Sequence, residues 1–264
     1  MKHFRIAVLS ATLVVLTAAC SSIVDPDDGW RNKASAESRF NFAVETGSMI
    51  KLVMEGINGT INIVGKNDGS QVKVSGVKIV RSDSERDGRD FLKKIKVSLS
   101  ETSSTLFVAT EQPENLDGRE VNVDYEITVP QRWLLSVSSV NGECALDSLQ
   151  GEIDAQVSNG NVSLGKIDAS ATVRVTNGRI AGTVNLPRNG KLHAQTTNGL
   201  IVIDLAKETS AQFLARVTNG TVNVSGLTLR DVSGSQKEVR GVLGTGEGTI
   251  DLRTTNGNIS VSGY

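Results

Sequence analysis

Only a few side chains in this 264-residue sequence have types and spacings suited to chemistry, and Cys20 is the first of them. Thr17-Ala18-Ala19-Cys20 follows a basic start, Lys2 and Arg5, and an apolar run from Ile6 to Leu16. That order reads as a signal peptide over residues 1–19, with an apolar run too short to span a membrane. Small residues ahead of a cysteine also form a bacterial lipobox, in which Cys20 is acylated, carries palmitate or a similar chain, and becomes the mature N-terminus. Thr17 stands where Leu is usual, and simple cleavage after Ala19 into a secreted protein is the alternative. Removing Lys2 and Arg5 changes the formal charge from −1 to −3.

The other reactive candidates are sparse. Cys144 falls in a column otherwise filled by Ile and Val, where it acts as a small buried hydrophobe. His3 leaves with the signal, so His193 is the only histidine of the mature chain. It is expected in an outward column between Thr172 and Leu214 with no carboxylate beside it, which argues against a hydrolytic triad or a histidine metal site. A polysaccharide-cleaving β-helix would cluster Asp around calcium, yet Asp154, Asp168, Asp204 and Asp251 read as occupying different columns. Trp133 is the only tryptophan of the repeat body that could stack on sugar. No catalytic residue, metal or cofactor is therefore expected. One positive signal remains, three residues before each repeated Asn: Gln156, Arg174, Gln195, Arg216 and Arg253. Stacked, Arg174, Arg216 and Arg253 would make a stripe for anionic glycans or lipopolysaccharide; the plainer reading is a solvated face.

The elements that position these residues follow from a repeat. Asn-Gly recurs at Asn141, Asn159 and Asn177, 18 residues apart (159−141, 177−159), then at Asn198 and Asn219 after gaps of 21 (198−177, 219−198). Asn256 follows after 37 (256−219), and an early copy sits at Asn58. On both sides of each Asn, apolar residues alternate with Ser, Thr, Gln, Arg and Asp, the two-residue period of strands. Each unit supplies two short strands joined at a corner where Gly accepts positive φ. Burying four or five aliphatics gives about 10 kcal/mol, whereas ordering about 18 residues costs about 27 kcal/mol. No unit stands alone, so units must stack. The expectation is an all-β parallel β-solenoid with 18–21-residue coils, an Asn amide ladder, and a Ser/Thr stripe at Ser158, Thr176, Thr197, Thr218 and Thr255. Asn-Gly is also the strongest short hairpin signal, so an antiparallel β-sandwich of hairpins is the alternative.

Residues 20–39 are polar and aperiodic, a lipid-anchored tether. The folded domain is assigned to 40–264. Within it, SDSERDGRDFLKKI predicts a short helix with a Ser82/Glu85 capping box, lying across the sheets as a cap or flank. Residues 227–248 break the rhythm and read as an enlarged coil before the last one.

The signal peptide, VDYEITVPQRWLLSVSSVNGE, and the V-x-N-G-x-V-x-V units together resemble bacterial adhesin-like β-strand-repeat domains of unknown function, similar in appearance to head domains of autotransporter adhesins. The resemblance spans about residues 40–264 and implies a β-solenoid exposed in the cell envelope, with no catalytic residue to carry over. The leading expectation is a non-enzymatic lipoprotein serving adhesion, scaffolding or interaction. Its partners would be the membrane, through the lipid, and envelope glycans or proteins. A near-neutral charge gives no sign of nucleic acid. Ser21, which is not Asp, points to the outer membrane if the cell is Gram-negative. A carbohydrate-active β-helix enzyme and an envelope-stress accessory protein are the alternatives.

Overall fold

A computed structural model describes residues 32–67 and 70–264 of the chain. Cys20 and the expected signal peptide, residues 1–19, lie outside the described residues. The chain opens with β1 (Ala34–Glu45) and a first coil, β2 (Lys51–Asn58) with β3 (Ile61–Lys66). Next come β4 (Gln71–Ser82), helix α1 (Glu85–Leu92) and β5 (Lys96–Glu101), then a second coil, β6 (Thr105–Glu111) with β7 (Glu120–Pro130). Four regular coils follow: β8 (Leu134–Asn141) with β9 (Cys144–Leu149), β10 (Ile153–Asn159) with β11 (Val162–Ile167), β12 (Ala171–Asn177) with β13 (Ile180–Val184), and β14 (Lys191–Asn198) with β15 (Ile201–Leu205). A further coil, β16 (Ala211–Asn219) with β17 (Val222–Ser225), precedes the hairpin of β18 (Leu229–Ser235) and β19 (Glu238–Leu243). The last coil pairs β20 (Gly248–Asn256) with β21 (Ile259–Gly263).

These strands divide between two sheets. The first runs β1-β4-β7-β3-β9-β11-β13-β15-β21-β17, and the second runs β18-β19-β16-β20-β14-β12-β10-β8-β2-β6-β5. Every coil-to-coil pairing is parallel, and the seven Asn-Gly coils are in register from Asn to Asn, so the fold is a β-solenoid and not a sandwich of hairpins. Its ends add antiparallel pairs to both sheets. The interior is a single apolar column. On the second sheet Leu135, Ile153, Ala171, Leu192, Ile250 and Phe213 stack in register, all buried.

The Asn-Gly corner explains why the repeat tolerates so little variation there. Gly160 sits at φ +147, and a Cβ placed on it would lie 1.7 Å from the carbonyl oxygen of Gly142. The same collision recurs down the stack, so glycine is needed for the coils to approach as much as for the turn. Beside it the asparagine amides form a continuous ladder: Asn141 donates to Asn58, Asn159 to Asn141, Asn177 to Asn159, Asn198 to Asn177, Asn256 to Asn198 and Asn219 to Asn256, at 2.7–2.9 Å. Thr176, Thr197, Thr218 and Thr255 are exposed beside it, and Ser158 is half-buried.

Four expectations are corrected. First, chain order is not spatial order at the ends. The last coil is inserted between β14/β15 and β16/β17, so the inward row runs Ile180, Ile201 and Ile259, all buried, and ends at the half-buried Val222. At the other end β2/β3 is likewise enclosed between β6/β7 and β8/β9. Second, residues 227–248 are no enlarged coil: β18 and β19 form an antiparallel hairpin on the edge of the second sheet, paired to β16. The 37-residue gap thus contains a detour of about 16 residues (37−21), set by the hairpin. Third, the helix is capped by Ser84, whose Oγ accepts from the Asp87 N–H at 3.3 Å, while Ser82 Oγ donates to the Ser84 carbonyl. Phe91 and Leu92 are buried where α1 packs on β1 and β4. Fourth, β1 begins at Ala34, upstream of residue 40, so residues 34–39 belong to the sheet and not to the tether.

Candidate functional site

The outward face of the second sheet gathers most of the candidate residues, because parallel pairing in register turns sequence columns into rows. Three residues before the Asn corner, the row reads Gln156, Arg174, Gln195, Arg253, Arg216 and, on the hairpin, Glu238. Arg174, Arg216 and Arg253 therefore do share one row. Insertion of the last coil places Arg253 directly beside Arg216, which chain order alone would not give.

None of the three guanidiniums is bare. Arg174 Nη1 lies 3.4 Å from Asp154 Oδ1, and Arg253 Nε lies 2.7 Å from Asp251 Oδ1. Arg216 and Arg240 both bond Glu238, one to each carboxylate oxygen. Glu238 is held below the ordinary carboxylate range, first by the hydrogen bond from Arg240 and then by that from Arg216. The Asp251 hydrogen bond raises Arg253 above its already high value. The stripe is a row of alternating charge more than a basic strip. Such exposed pairs are screened by water and contribute little, so they order the surface more than they stabilise it. Each guanidinium still has N–H donors left over, since Arg carries five.

The neighbouring row, five before the corner, contains two further corrections. It runs Ser136, Asp154, Thr172, His193, Asp251, Leu214 and Arg240. Asp154 and Asp251 share this row, contrary to the expectation of different columns. His193 stands between Thr172 and Asp251, not between Thr172 and Leu214, and its Nδ1 lies 3.6 Å from Asp251 Oδ2. The sequence signal for this neighbour was the doubled interval before Asn256, which conceals where the last coil lands. A hydroxyl, an imidazole and a carboxylate thus align across three strands. They lie on a central sheet whose backbone N–H groups are used in strand pairing, so no backbone donors are left there to hold an oxyanion. Next to Asp251 is an open groove of about 420 Å³, lined among others by Gln212, Leu214, Asp231, Arg240 and Thr249.

The remaining candidates are scattered. Asp168 accepts from Asn185 at 3.1 Å, and Asp204 accepts from Ser262, both away from the stripe. Trp133 is buried and presents no ring face to a sugar. Cys144 is a free thiol enclosed in the first sheet's interior row, and burial pushes it up to about 12, far from a thiolate at neutral pH. Among the described residues no group of three or more His, Cys, Asp or Glu is arranged to hold a metal ion. An open hollow of about 680 Å³ beside α1 is lined by Asp83, Asp87, Asp117 and Arg119, where Arg119 Nε and Nη2 grip the two Asp87 oxygens at 2.7 and 2.6 Å. That pair ties the helix to the start of β7. No helix among the described residues is long and apolar enough to cross a membrane.

Solved structures with a similar outline include one from Clostridium sporogenes, described as a candidate cell adhesion protein. It is 15% identical, with a TM-score of 0.48 and alignment over 87% of this chain and 100% of that one. Another, described as a candidate adhesin from Bacteroides fragilis, is 12% identical with a TM-score of 0.30, covering 86% and 97%. Among curated proteins none matches. The Toastrack DUF4097 profile matches residues 131–262, the span that contains the regular coils, the hairpin and the inserted last coil. On that match, which takes in half of its length, this chain belongs to the Toastrack DUF4097 family.

Proposed function

We propose that this protein is a cell-envelope lipoprotein that displays its solenoid as an adhesion, scaffold or interaction module and performs no catalysis. The observation that supports this reading is the row Arg174, Gln195, Arg253, Arg216, whose members stand at the spacing of adjacent strands, about 4.8 Å. The three arginine side chains remain 48%, 50% and 58% exposed. Spare guanidinium donors in a straight row suit a partner that is itself extended and carries carboxylates, phosphates or hydroxyls, such as an envelope glycan or the edge of another protein. Their own carboxylate partners weaken nonspecific attraction to any polyanion and favour partners that match the alternation. Acylated Cys20 would hold the module at the membrane, the outer one in a Gram-negative cell, and residues 20–33 would serve as the tether ahead of the fold.

Two measurements bear on this. Cys20→Ser should move the protein from the membrane to the soluble fraction; unchanged fractionation would remove the anchor from the proposal. The combined Arg174→Gln, Arg216→Gln and Arg253→Gln variant should lose retention on an array of acidic envelope polysaccharides while keeping its melting temperature. Equal retention would sink the stripe, and turnover of any arrayed polysaccharide by the purified protein would overturn the non-enzymatic role.

A further inference from the structure

The seven asparagines of the ladder look interchangeable in sequence, but one of them differs in its bonding. At six corners the glycine N–H that follows the asparagine is donated to the next coil: Gly59 to the Asn141 carbonyl, Gly142 to Asn159, Gly160 to Asn177, Gly178 to Asn198, Gly199 to Asn256 and Gly257 to Asn219, at 2.8–3.1 Å. Asn219 belongs to the outermost coil, and no coil lies beyond it. The hairpin does not replace one: β19 pairs with β16 only as far as Arg216, after which its turn straddles the corner, taking the Val217 N–H on the Lys237 carbonyl and the Val222 N–H on the Gln236 carbonyl and leaving out the Gly220 N–H between them. Among the described residues the Gly220 N–H has no acceptor and Asn219 Oδ1 accepts nothing. The side chain is exposed and held by a single bond, Nδ2 to Asn256 Oδ1 at 2.8 Å.

We infer that Asn219 is a site of spontaneous covalent modification, the one rung of the ladder open to intramolecular attack by its own backbone. The Gly220 nitrogen, once its proton passes to hydroxide or water, bonds to the Asn219 side-chain carbon. The bond from that carbon to Nδ2 breaks, and the nitrogen leaves as ammonia after taking up a proton. The resulting five-membered imide is opened by water at either carbonyl, giving aspartate or isoaspartate. At the other six rungs the attacking nitrogen must first give up its coil-to-coil hydrogen bond, and the amide it attacks is clamped on both sides. The product has a local consequence. A carboxylate at residue 219 faces Asn256 Oδ1, an acceptor against an acceptor, and isoaspartate lengthens the backbone at the corner joining β16 to β17. The outermost coil is thereby loosened while the interior coils keep their rungs.

The test is a time course of the intact folded protein at mildly alkaline pH, digested and read by mass spectrometry for amide-to-acid conversion and isoaspartate at each rung. Asn189-Gly190, off the ladder in a turn where the Gly190 N–H donates to Pro187, serves as a reference for an exposed turn. Asn219 should convert at least about tenfold faster than any other rung, the factor corresponding to one hydrogen bond of about 1.4 kcal/mol withheld from the attacking nitrogen. In denaturant the seven rungs should convert at similar rates, because all are Asn-Gly. Uniform conversion in the folded protein would overturn the inference, as would an excess at Asn219 that persists unchanged in denaturant.

Discussion

The regular array from β8 to β15 and the two ends of the rod solve different problems with the same strands. In the array the chain advances one coil at a time, and residues 18 or 21 apart in sequence are neighbours in space. At each end the order is transposed, so that the first and the last Asn-Gly coils are both enclosed by other strands. The closures also differ from one another. At the N-terminal end β1, β4 and β7 pair antiparallel in the first sheet, β5 and β6 do so in the second, and α1 inserts Phe91 and Leu92. At the C-terminal end the hairpin pairs along the second sheet and touches the first only through its turn, where the Gln236 carbonyl accepts from the Val222 N–H at 2.8 Å, so the short strand β17 is left as the edge of the first, with Val222 and Val224 half-buried. A stack of identical layers fixes its own middle, whereas its ends need dedicated segments to shield apolar rows and strand edges from other chains.

The largest effect should come from removing residues 248–264. If the last coil is an interior layer, its loss strips β16 of its parallel partner, and amide protection should vanish across 211–243 while β8 to β15 stay protected. Hydrogen exchange reads both regions in one experiment; protection surviving at 211–243 would break the comparison. Next is Gly178→Ala, where φ is +146 and the new Cβ would sit 1.8 Å from the Gly160 carbonyl oxygen. It should cost about 4 kcal/mol in denaturant unfolding. Gly47→Ala, at φ +49 with open space around it, should cost about 1 kcal/mol.

Smaller than the Gly178 effect is the contrast between rungs: Asn177→Ala removes two side-chain bonds and Asn219→Ala one, so losses of about 2 and about 1 kcal/mol are expected. The smallest effect is pH-dependent and confined to the hairpin. Arg240 and Arg216 lower Glu238 from its ordinary 4.5, so its contribution is present above that value and lost as pH falls through the lower folded value. Exchange in β19 should quicken in acid, and Glu238→Gln should remove that dependence. An unchanged acid response in the variant would assign it to other groups.

The solenoid was legible because column identity reports stacking directly: Ile153, Ala171 and Leu192 recur at one offset from Asn, and nothing but layering requires it. The amide ladder followed from the same alignment. What remained hidden depended on non-local choices. Nothing in DLRTTNGNISV distinguishes a coil added at the end from one inserted before it, since the inward residues Ile250, Leu252 and Ile259 suit either slot. That ambiguity concealed the contact between His193 and Asp251 and the adjacency of Arg253 to Arg216. The charged residues of the hairpin were visible, but Glu238 could be seen as a partner of Arg216 only once β19 was known to run antiparallel to β16. The sequence points too early for the helix cap because Ser82 has capping-box spacing to Glu85, whereas Ser82 closes β4 and is buried, which leaves Ser84 to accept from the Asp87 N–H.

One property of the ladder reaches beyond stability. All its amides point the same way, each nitrogen toward the Asn58 end, where Asn58 Nδ2 rests on the Val121 carbonyl at 3.1 Å. Dipoles aligned in series polarise one another, so the string acts as a single electrical axis along the edge of the rod, neutralised at one tip and ending at the other in the bare oxygen of Asn219. Two rods meeting tip to tip would therefore present like poles or unlike poles depending on orientation, a built-in sense of direction for an otherwise monotonous stack.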